Sequence, residues 1–207
     1  WYRRRQRQMC IRDRLQIDRS PTKFGLARIA SAVAPATSAR IGPLDFRTID
    51  DPDCPGDGWH RVHTRLAGIC GSDLSLVEGH ASTYFEDFVS FPFVPGHEVV
   101  GHLDDGTRVV LEPVLGHEAR GIAPPFEGAA PGDGDDYAHL ATTARRGHLE
   151  AGIQTGFCCS TGGGWAPWFW AHDSQLHRID DVPDERAVLI EPIAGGIHAA
   201  LLAWPTI

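Results

Sequence analysis

An extended pattern covers residues 59–67, WHRVHTRLA, in which odd and even positions alternate between two faces. A period of two predicts a β-strand. Residues 98–115, EVVGHLDDGTRVVLEPVL, contain two apolar-rich runs joined through Asp105-Gly106, a dipeptide typical of tight turns. They predict a β-hairpin. Residues 165–179, WAPWFWAHDSQLHRI, predict a further pair of strands.

Helical patterns between these strands are short. Ser72 or Asp73 can cap the segment LSLVE (74–78), which ends at Gly79. Residues 116–164 have few periodic apolar positions and many Gly, Pro and Asp residues, so they predict a long irregular excursion. Loops of that length are usually functional or disordered.

The last predicted elements are helical. Asp184 can cap ERAVLIE (185–191), Pro192 interrupts the pattern, and IAGGIHAALLA (193–203) follows as a second helical segment. Together, the extended and helical patterns predict a mainly β fold with short helices.

Composition limits the class of protein. The chain has 207 residues, 42% of them hydrophobic, which is enough for one ordinary core. A net charge of -8 argues against a nucleic-acid binder, because phosphate binding needs a basic face. No apolar run approaches the roughly 20 residues of a membrane span. The five cysteines are irregularly spaced and predict a reducing compartment, so we expect a cytoplasmic protein.

The beginning of the chain differs in charge from the rest. Its first 20 residues carry seven Arg against two Asp. Such a segment is either a basic arm that binds nucleic acid or an anionic membrane, or a non-native leader. The string MCIRDR resembles translated sequencing-adapter text, so we interpret residues 1–20 as a non-native or disordered leader and exclude them from the predicted fold.

Two short motifs supply candidate metal ligands. GICGSD (68–73) contains Cys70, and VPGHEVVG (94–101) contains His97 and Glu98. A thiolate, an imidazole and a carboxylate are the side chains that hold zinc in proteins. Cys70 lies between a predicted strand and a helix N-terminus, where the helix dipole favours a thiolate. A lone Cys is more often a buried apolar residue, but the joint placement of these residues favours a metal site.

Five segments occur in the order and approximate spacing of the zinc-dependent medium-chain alcohol and polyol dehydrogenases, which residues 24–207 therefore resemble. They are GICGSD (68–73), VPGHEVVG (94–101), GTRVVLEP (106–113), GGGWAPWFWAHDSQLHRIDD (162–181) and AVLIEPIAGGIHAAL (187–201). The resemblance implies a GroES-like β-barrel catalytic domain at residues 24–182, with an irregular lobe at about 115–160. Residues 183–207 would begin the helical connection to a dinucleotide-binding Rossmann domain that is absent here.

The same resemblance implies one catalytic zinc. Its candidate ligands are Cys70, His97, Glu98 and Glu191. Glu98 either binds directly or lies behind the metal, and Glu191 stands where many alcohol dehydrogenases have Cys, as in the polyol and glucose dehydrogenase branch. Asp73 resembles the carboxylate that orients the liganding histidine, and Ser72 the hydroxyl that receives the substrate proton. We expect these two residues to be catalytic.

The implied activity is an oxidoreductase reaction on a small-molecule alcohol or polyol. A zinc-bound alkoxide gives hydride to NAD or NADP in the intact protein, which could be a homo-oligomer, while this chain alone is inactive. Two alternatives remain: a stand-alone zinc-binding GroES-like module, and a barrel without metal or activity. No partner of nucleic acid or membrane type is expected.

Two departures from the family pattern limit these expectations. No cysteine lies between Val114 and Gly156, so we predict that the family's four-cysteine structural zinc is absent. A replacement site is a less favoured possibility; its candidates are His117, Glu118, Asp133, Asp135, Asp136 and His139. No G-x-G-x-x-G occurs in the sequence, so the fingerprint of dinucleotide binding is missing.

Overall fold

The computed structural model describes residues 13–81, 83–134, 137–141 and 149–204. Within these ranges the chain forms seven strands and five α-helices. They are β1 (Asp13–Ile17), α1 (Pro21–Val33), α2 (Pro35–Ile41), β2 (Leu44–Thr48), β3 (Trp59–Ala67), α3 (Gly71–Val77), β4 (Val99–His102), β5 (Arg108–Leu111), β6 (Trp168–His172), β7 (Leu176–Arg178), α4 (Asp184–Ala187) and α5 (Ile190–Ala203).

The main sheet has the strand order β6-β3-β4-β5-β7, and all its neighbours are antiparallel. Strands β6 and β7 lie at opposite edges, yet only residues 173–175 join them. In a flat sheet these edges would lie about 19 Å apart, whereas the four residue steps from His172 to Leu176 reach at most about 14 Å. The sheet therefore has to curl until its edges approach each other.

The inner face of the curled sheet forms the main core. Val62, Val99, Val109, Phe169 and Ala171 pack there, each at most 2% exposed. Strand β3 pairs with both β4 and β6 and is therefore an interior strand of this sheet. The predicted strand at 59–67 is confirmed.

The predicted hairpin is also confirmed. Strands β4 and β5 pair antiparallel, and Gly106 in the turn between them has a φ of +85°, which favours glycine. The predicted pair at 165–179 is confirmed as two strands, β6 and β7, but they do not pair with each other. Each instead pairs with a different strand of the sheet.

A smaller unit precedes the main sheet. Strands β1 and β2 pair antiparallel, and helices α1 and α2 connect them. These helices were not predicted, although the start of α1 carries two recognisable signals. The Ser20 side chain accepts a hydrogen bond from the Lys23 N–H, and Pro21 occupies the first helical position.

The predicted leader, residues 1–20, overlaps this unit, because β1 covers Asp13–Ile17. Ile17 is fully buried, and its N–H donates to the Phe93 carbonyl at 2.8 Å. Arg14 is 1% exposed and pairs with Asp51. Residues 13–20 therefore take part in the fold, because they supply a paired strand and a helix cap, whereas residues 1–12 lie outside the described part of the chain.

The boundary between the last two helices lies before Pro192 and not at it, as had been predicted. Helix α4 ends at Ala187 and α5 begins at Ile190, so Pro192 does not interrupt a helix but lies in the first turn of α5. A proline is tolerated there because the N–H groups of a first turn have no acceptor within the helix. An ion pair between Asp184 and Arg108 holds α4 to β5.

The stretch Asp184–Ala203 is long and apolar enough to cross a membrane by length and composition. No residue of α5 is buried, and Ile193, Ile197 and Leu201 are each more than half exposed. The helix therefore presents an apolar surface outside the main core.

The predicted irregular lobe follows β5. Its described residues contain one short 3₁₀ turn, Glu118–Arg120, before β6. Arg120 is 1% exposed, and its guanidinium donates to the carbonyls of Leu115 and Gly152 at 2.9 and 2.7 Å. The buried guanidinium thus connects two distant parts of the lobe.

We expect Arg120→Met to lower the free energy of unfolding by about 3 kcal/mol, because it leaves buried carbonyl groups without donors. Urea unfolding followed by circular dichroism measures the change. Arg178→Met at an exposed position is the matched control and should change stability by less than about 0.5 kcal/mol. Equal stabilities of the two variants would contradict the role given to Arg120.

Candidate metal centre

Two chain segments bring the candidate ligands together. Cys70 follows β3 and is the N-cap of α3, and His97 and Glu98 directly precede β4. One potential ligand atom from each of the three residues lies within 4.8 Å of the other two. Tetrahedral zinc sites, with bonds of about 2.0–2.3 Å, have ligand atoms about 3.3–3.8 Å apart. Small movements of the side chains would bring this group to that size.

The approach of the two segments depends on Gly68. Its N–H donates to the Glu98 carbonyl at 2.8 Å. A Cβ atom at position 68 would lie 2.0 Å from Glu98 Oε2, which is an impossible contact. A glycine is therefore needed for the Glu98 carboxylate to occupy its place beside Cys70.

Asp73 lies next to both ligand segments. It is 1% exposed, and its Oδ2 accepts a hydrogen bond from the Cys70 N–H at 3.0 Å. Its other oxygen, Oδ1, lies 3.7 Å from His97 Nδ1, which is too far for a hydrogen bond. Asp73 is therefore the third residue of α3, and its side chain accepts a hydrogen bond from the main chain of the N-cap residue. The N-cap is Cys70, so the prediction of Ser72 or Asp73 as the cap is wrong.

The chemistry of this pair fits a bound cation. Asp73 Oδ1 and His97 Nδ1 are buried side-chain atoms without a hydrogen-bond partner among the described residues. A histidine that binds a metal through one ring nitrogen usually donates its other N–H to a carboxylate. A shift of about 1 Å would give Asp73 that role. The residues present therefore fit a metal ion held by Cys70, His97 and Glu98.

Burial sets the protonation of the two inner residues. It raises the pKa of Asp73 to about 6, against a hydrogen bond from the Cys70 N–H, and the Glu98 charge adds to the increase. Burial also lowers the pKa of His97, so the neutral imidazole that a metal requires is favoured.

Glu191 approaches the site but does not join the group of three. Burial raises its pKa, and the charges of Glu98 and Glu112 raise it further. Asp73 acts in the same direction. Several carboxylates thus share a partly buried region, which favours a cation there. Glu112 was not among the predicted site residues; it directly follows β5, and its position after a buried strand was its only signal in the sequence.

The other predicted residues have different surroundings. Ser72 is exposed in the first turn of α3, and its role stays a prediction. In the lobe, the rings of His117 and His139 stack with centroids 3.8 Å apart. Asp133 accepts a hydrogen bond from the Ala130 N–H, and Asp135 and Asp136 lie outside the described residues. Among the described side chains, this predicted replacement site contains no group of three potential metal ligands.

The pKa of Asp73 gives a pH dependence for the metal-free protein. Between its ordinary value of 3.8 and about 6, the folded state keeps a proton that the unfolded state releases, so the free energy of unfolding falls as pH rises. We expect Asp73→Asn to reduce this fall in the free energy of unfolding between pH 4 and 6.5 by about 2 kcal/mol. Urea titrations with a chelator present measure it, and parallel pH profiles of the two proteins would contradict it.

The sequence of the chain is similar to those of known dehydrogenases. Sorbitol dehydrogenase from Pongo abelii is 30% identical over 189 residues, covering 83% of this chain and 46% of that protein. L-threonine 3-dehydrogenase from Anaeromyxobacter sp. is 26% identical over 157 residues, covering 74% of this chain and 42% of that protein. The chain thus spans about half the length of the curated relatives it matches.

Solved structures show the same fold at low identity. Glucose dehydrogenase from Haloferax mediterranei, in complex with NADP, Zn and gluconolactone, has a TM-score of 0.58 at 20% identity; the match covers 93% of this chain and 46% of that one. Galactitol-1-phosphate dehydrogenase from Escherichia coli has a TM-score of 0.56 at 21% identity, with 93% and 45% covered.

The mainly β, GroES-like fold expected from the sequence is therefore confirmed. The family described as alcohol dehydrogenase GroES-like domain matches residues 56–181, more than half of the chain. With the curled sheet and the grouped ligands already established, this match shows that the chain belongs to the alcohol dehydrogenase GroES-like domain family.

Proposed function

We propose that this chain is the zinc-binding, substrate-facing half of an NAD(P)-linked alcohol or polyol dehydrogenase. The observation that carries the proposal is the grouping of Cys70, His97 and Glu98 within 4.8 Å, with Asp73 behind the histidine. Sulfur, nitrogen and oxygen donors together favour zinc over magnesium or calcium, which bind through oxygen. Glu191 is the proposed further ligand, because its carboxylate is close enough for the charge of Glu98 to raise its pKa.

The proposed chemistry divides between the metal and the protein. Cys70, His97 and Glu98 would hold the zinc ion, which would supply a Lewis acid that lowers the pKa of a substrate hydroxyl. After the shift of about 1 Å described above, the Asp73 carboxylate would accept the ring N–H of His97 and so hold the neutral imidazole in the orientation that a metal requires. Ser72 is exposed at the start of α3 and takes the substrate proton toward solvent.

Hydride transfer needs a second binding site. A nicotinamide accepts the hydride in such reactions, and the 207 residues contain no G-x-G-x-x-G. We propose that the nicotinamide is bound by a domain outside this chain, to which residues 183–207 lead. The exposed apolar side chains of α5, including Ile193 and Ile197, suit packing against such a domain. The chain alone is then inactive as a dehydrogenase.

Metal analysis of the purified chain tests the zinc site. We expect about one zinc per chain, falling below about 0.2 in Cys70→Ser and in His97→Ala, because each removes one of three grouped ligands. Cys54→Ser and His60→Ala are the matched controls, since they remove a thiol and an imidazole at exposed or partly exposed positions outside the group. Wild-type zinc content in both ligand variants would refute the proposed function.

A further inference from the structure

Trp165 lies between the two chain segments that supply the candidate ligands. Its indole N–H donates to the Gly68 carbonyl at 3.2 Å, two residues before Cys70. Its main-chain N–H donates to the Pro95 carbonyl at 2.9 Å, two residues before His97. Trp165 therefore contacts both ligand segments, and each contact lies two residues before a candidate ligand.

The indole ring of Trp165 also packs closely against Gly96, the residue before His97. A Cβ atom on Gly96 would lie 2.5 Å from Trp165 Cδ1, so only a glycine allows the ring to lie there. Gly96 has a φ of +98°, which also favours glycine, and its carbonyl accepts the Gly164 N–H at 2.8 Å. Residues 164 and 165 thus fix the backbone before His97 from two sides.

Only Ile69 separates Gly68, whose carbonyl accepts the Trp165 indole N–H, from Cys70, whose N–H donates to Asp73. Ile69, the residue between Gly68 and Cys70, is 64% exposed, so its side chain adds little packing. Gly68 is bonded on both sides of its Cα atom, through its N–H to Glu98 and through its carbonyl to Trp165. Loss of the indole bond would therefore free the carbonyl that orients the peptide leading to Cys70.

We infer that Trp165 is a positioning residue of the metal centre, whose indole N–H sets the distance between Cys70 and the pair His97–Glu98. This inference rests on the proposed function, since it concerns the same metal site. Residues that orient metal ligands without touching the metal typically change metal affinity by 10- to 100-fold when they are substituted. Trp165 differs from them in acting on the peptide chain that carries a ligand.

The test compares Trp165→Phe with Trp170→Phe in the full chain. Trp170 is the matched control, because its indole N–H also donates to a backbone carbonyl, that of Pro52 at 2.9 Å, outside the ligand segments. Cobalt(II) is the probe, since zinc has no useful absorption and cobalt reports thiolate coordination through a charge-transfer band. Titration gives the dissociation constant, and the spectrum gives the geometry.

We expect Trp165→Phe to weaken cobalt binding about tenfold and to shift or weaken the thiolate band, while Trp170→Phe changes affinity by less than about twofold. Equal affinities and spectra for Trp165→Phe and wild type would overturn the inference. Equal losses in both variants would also overturn it, because they would show general destabilisation. In both of these cases the metal site of the proposed function would stand.

Two further results complete the test. If Trp165→Phe does not fold by circular dichroism, β-(3-benzothienyl)alanine at position 165 keeps the shape of the ring and removes only the N–H donor. The same tenfold loss is expected for it, and wild-type affinity would overturn the inference. A wild-type chain that binds neither cobalt nor zinc would refute the proposed function, and the inference with it.

Discussion

The approach of Gly68 to Glu98 is the contact on which the rest of the site depends. A backbone hydrogen bond of 2.8 Å joins the two residues, and no side chain fits between them. Because Gly68 directly follows β3 and Glu98 directly precedes β4, this contact brings Cys70 and His97 together from segments far apart in sequence. Pairing of β3 with β4 and the Trp165 hydrogen bond maintain it.

The site combines buried groups that are unfavourable without a cation. Asp73 and His97 are almost fully buried, and their facing atoms are too far apart for a hydrogen bond. The carboxylates of Glu98 and Glu191 add negative charge nearby. Such an arrangement lowers the stability of the metal-free fold, and the binding of a divalent cation would offset that loss. Stability and function are therefore coupled at this position.

Local patterns in the sequence determined the elements that carry the ligands. The period of two in β3 and the Asp105-Gly106 turn are signals of a few residues, so they could be identified without knowledge of neighbours. Cys70, His97 and Glu98 could be identified as candidate ligands from the types of their side chains and their short motifs, and the family resemblance supports that assignment. Helices α1 and α2 were not predicted, although the Ser20 cap and Pro21 at the first helical position mark the start of α1.

Tertiary structure alone decided which side chains meet. The sequence placed Glu191 among the ligands, but the packing of α5 leaves it outside the group of three. It gave no signal that Glu112 would share the same negative region, or that Trp165 would join both ligand segments. These relations depend on how the curled sheet brings strand ends together, which is a long-range property. The sequence therefore determined the kinds of donor atoms available, and the fold determined their distances.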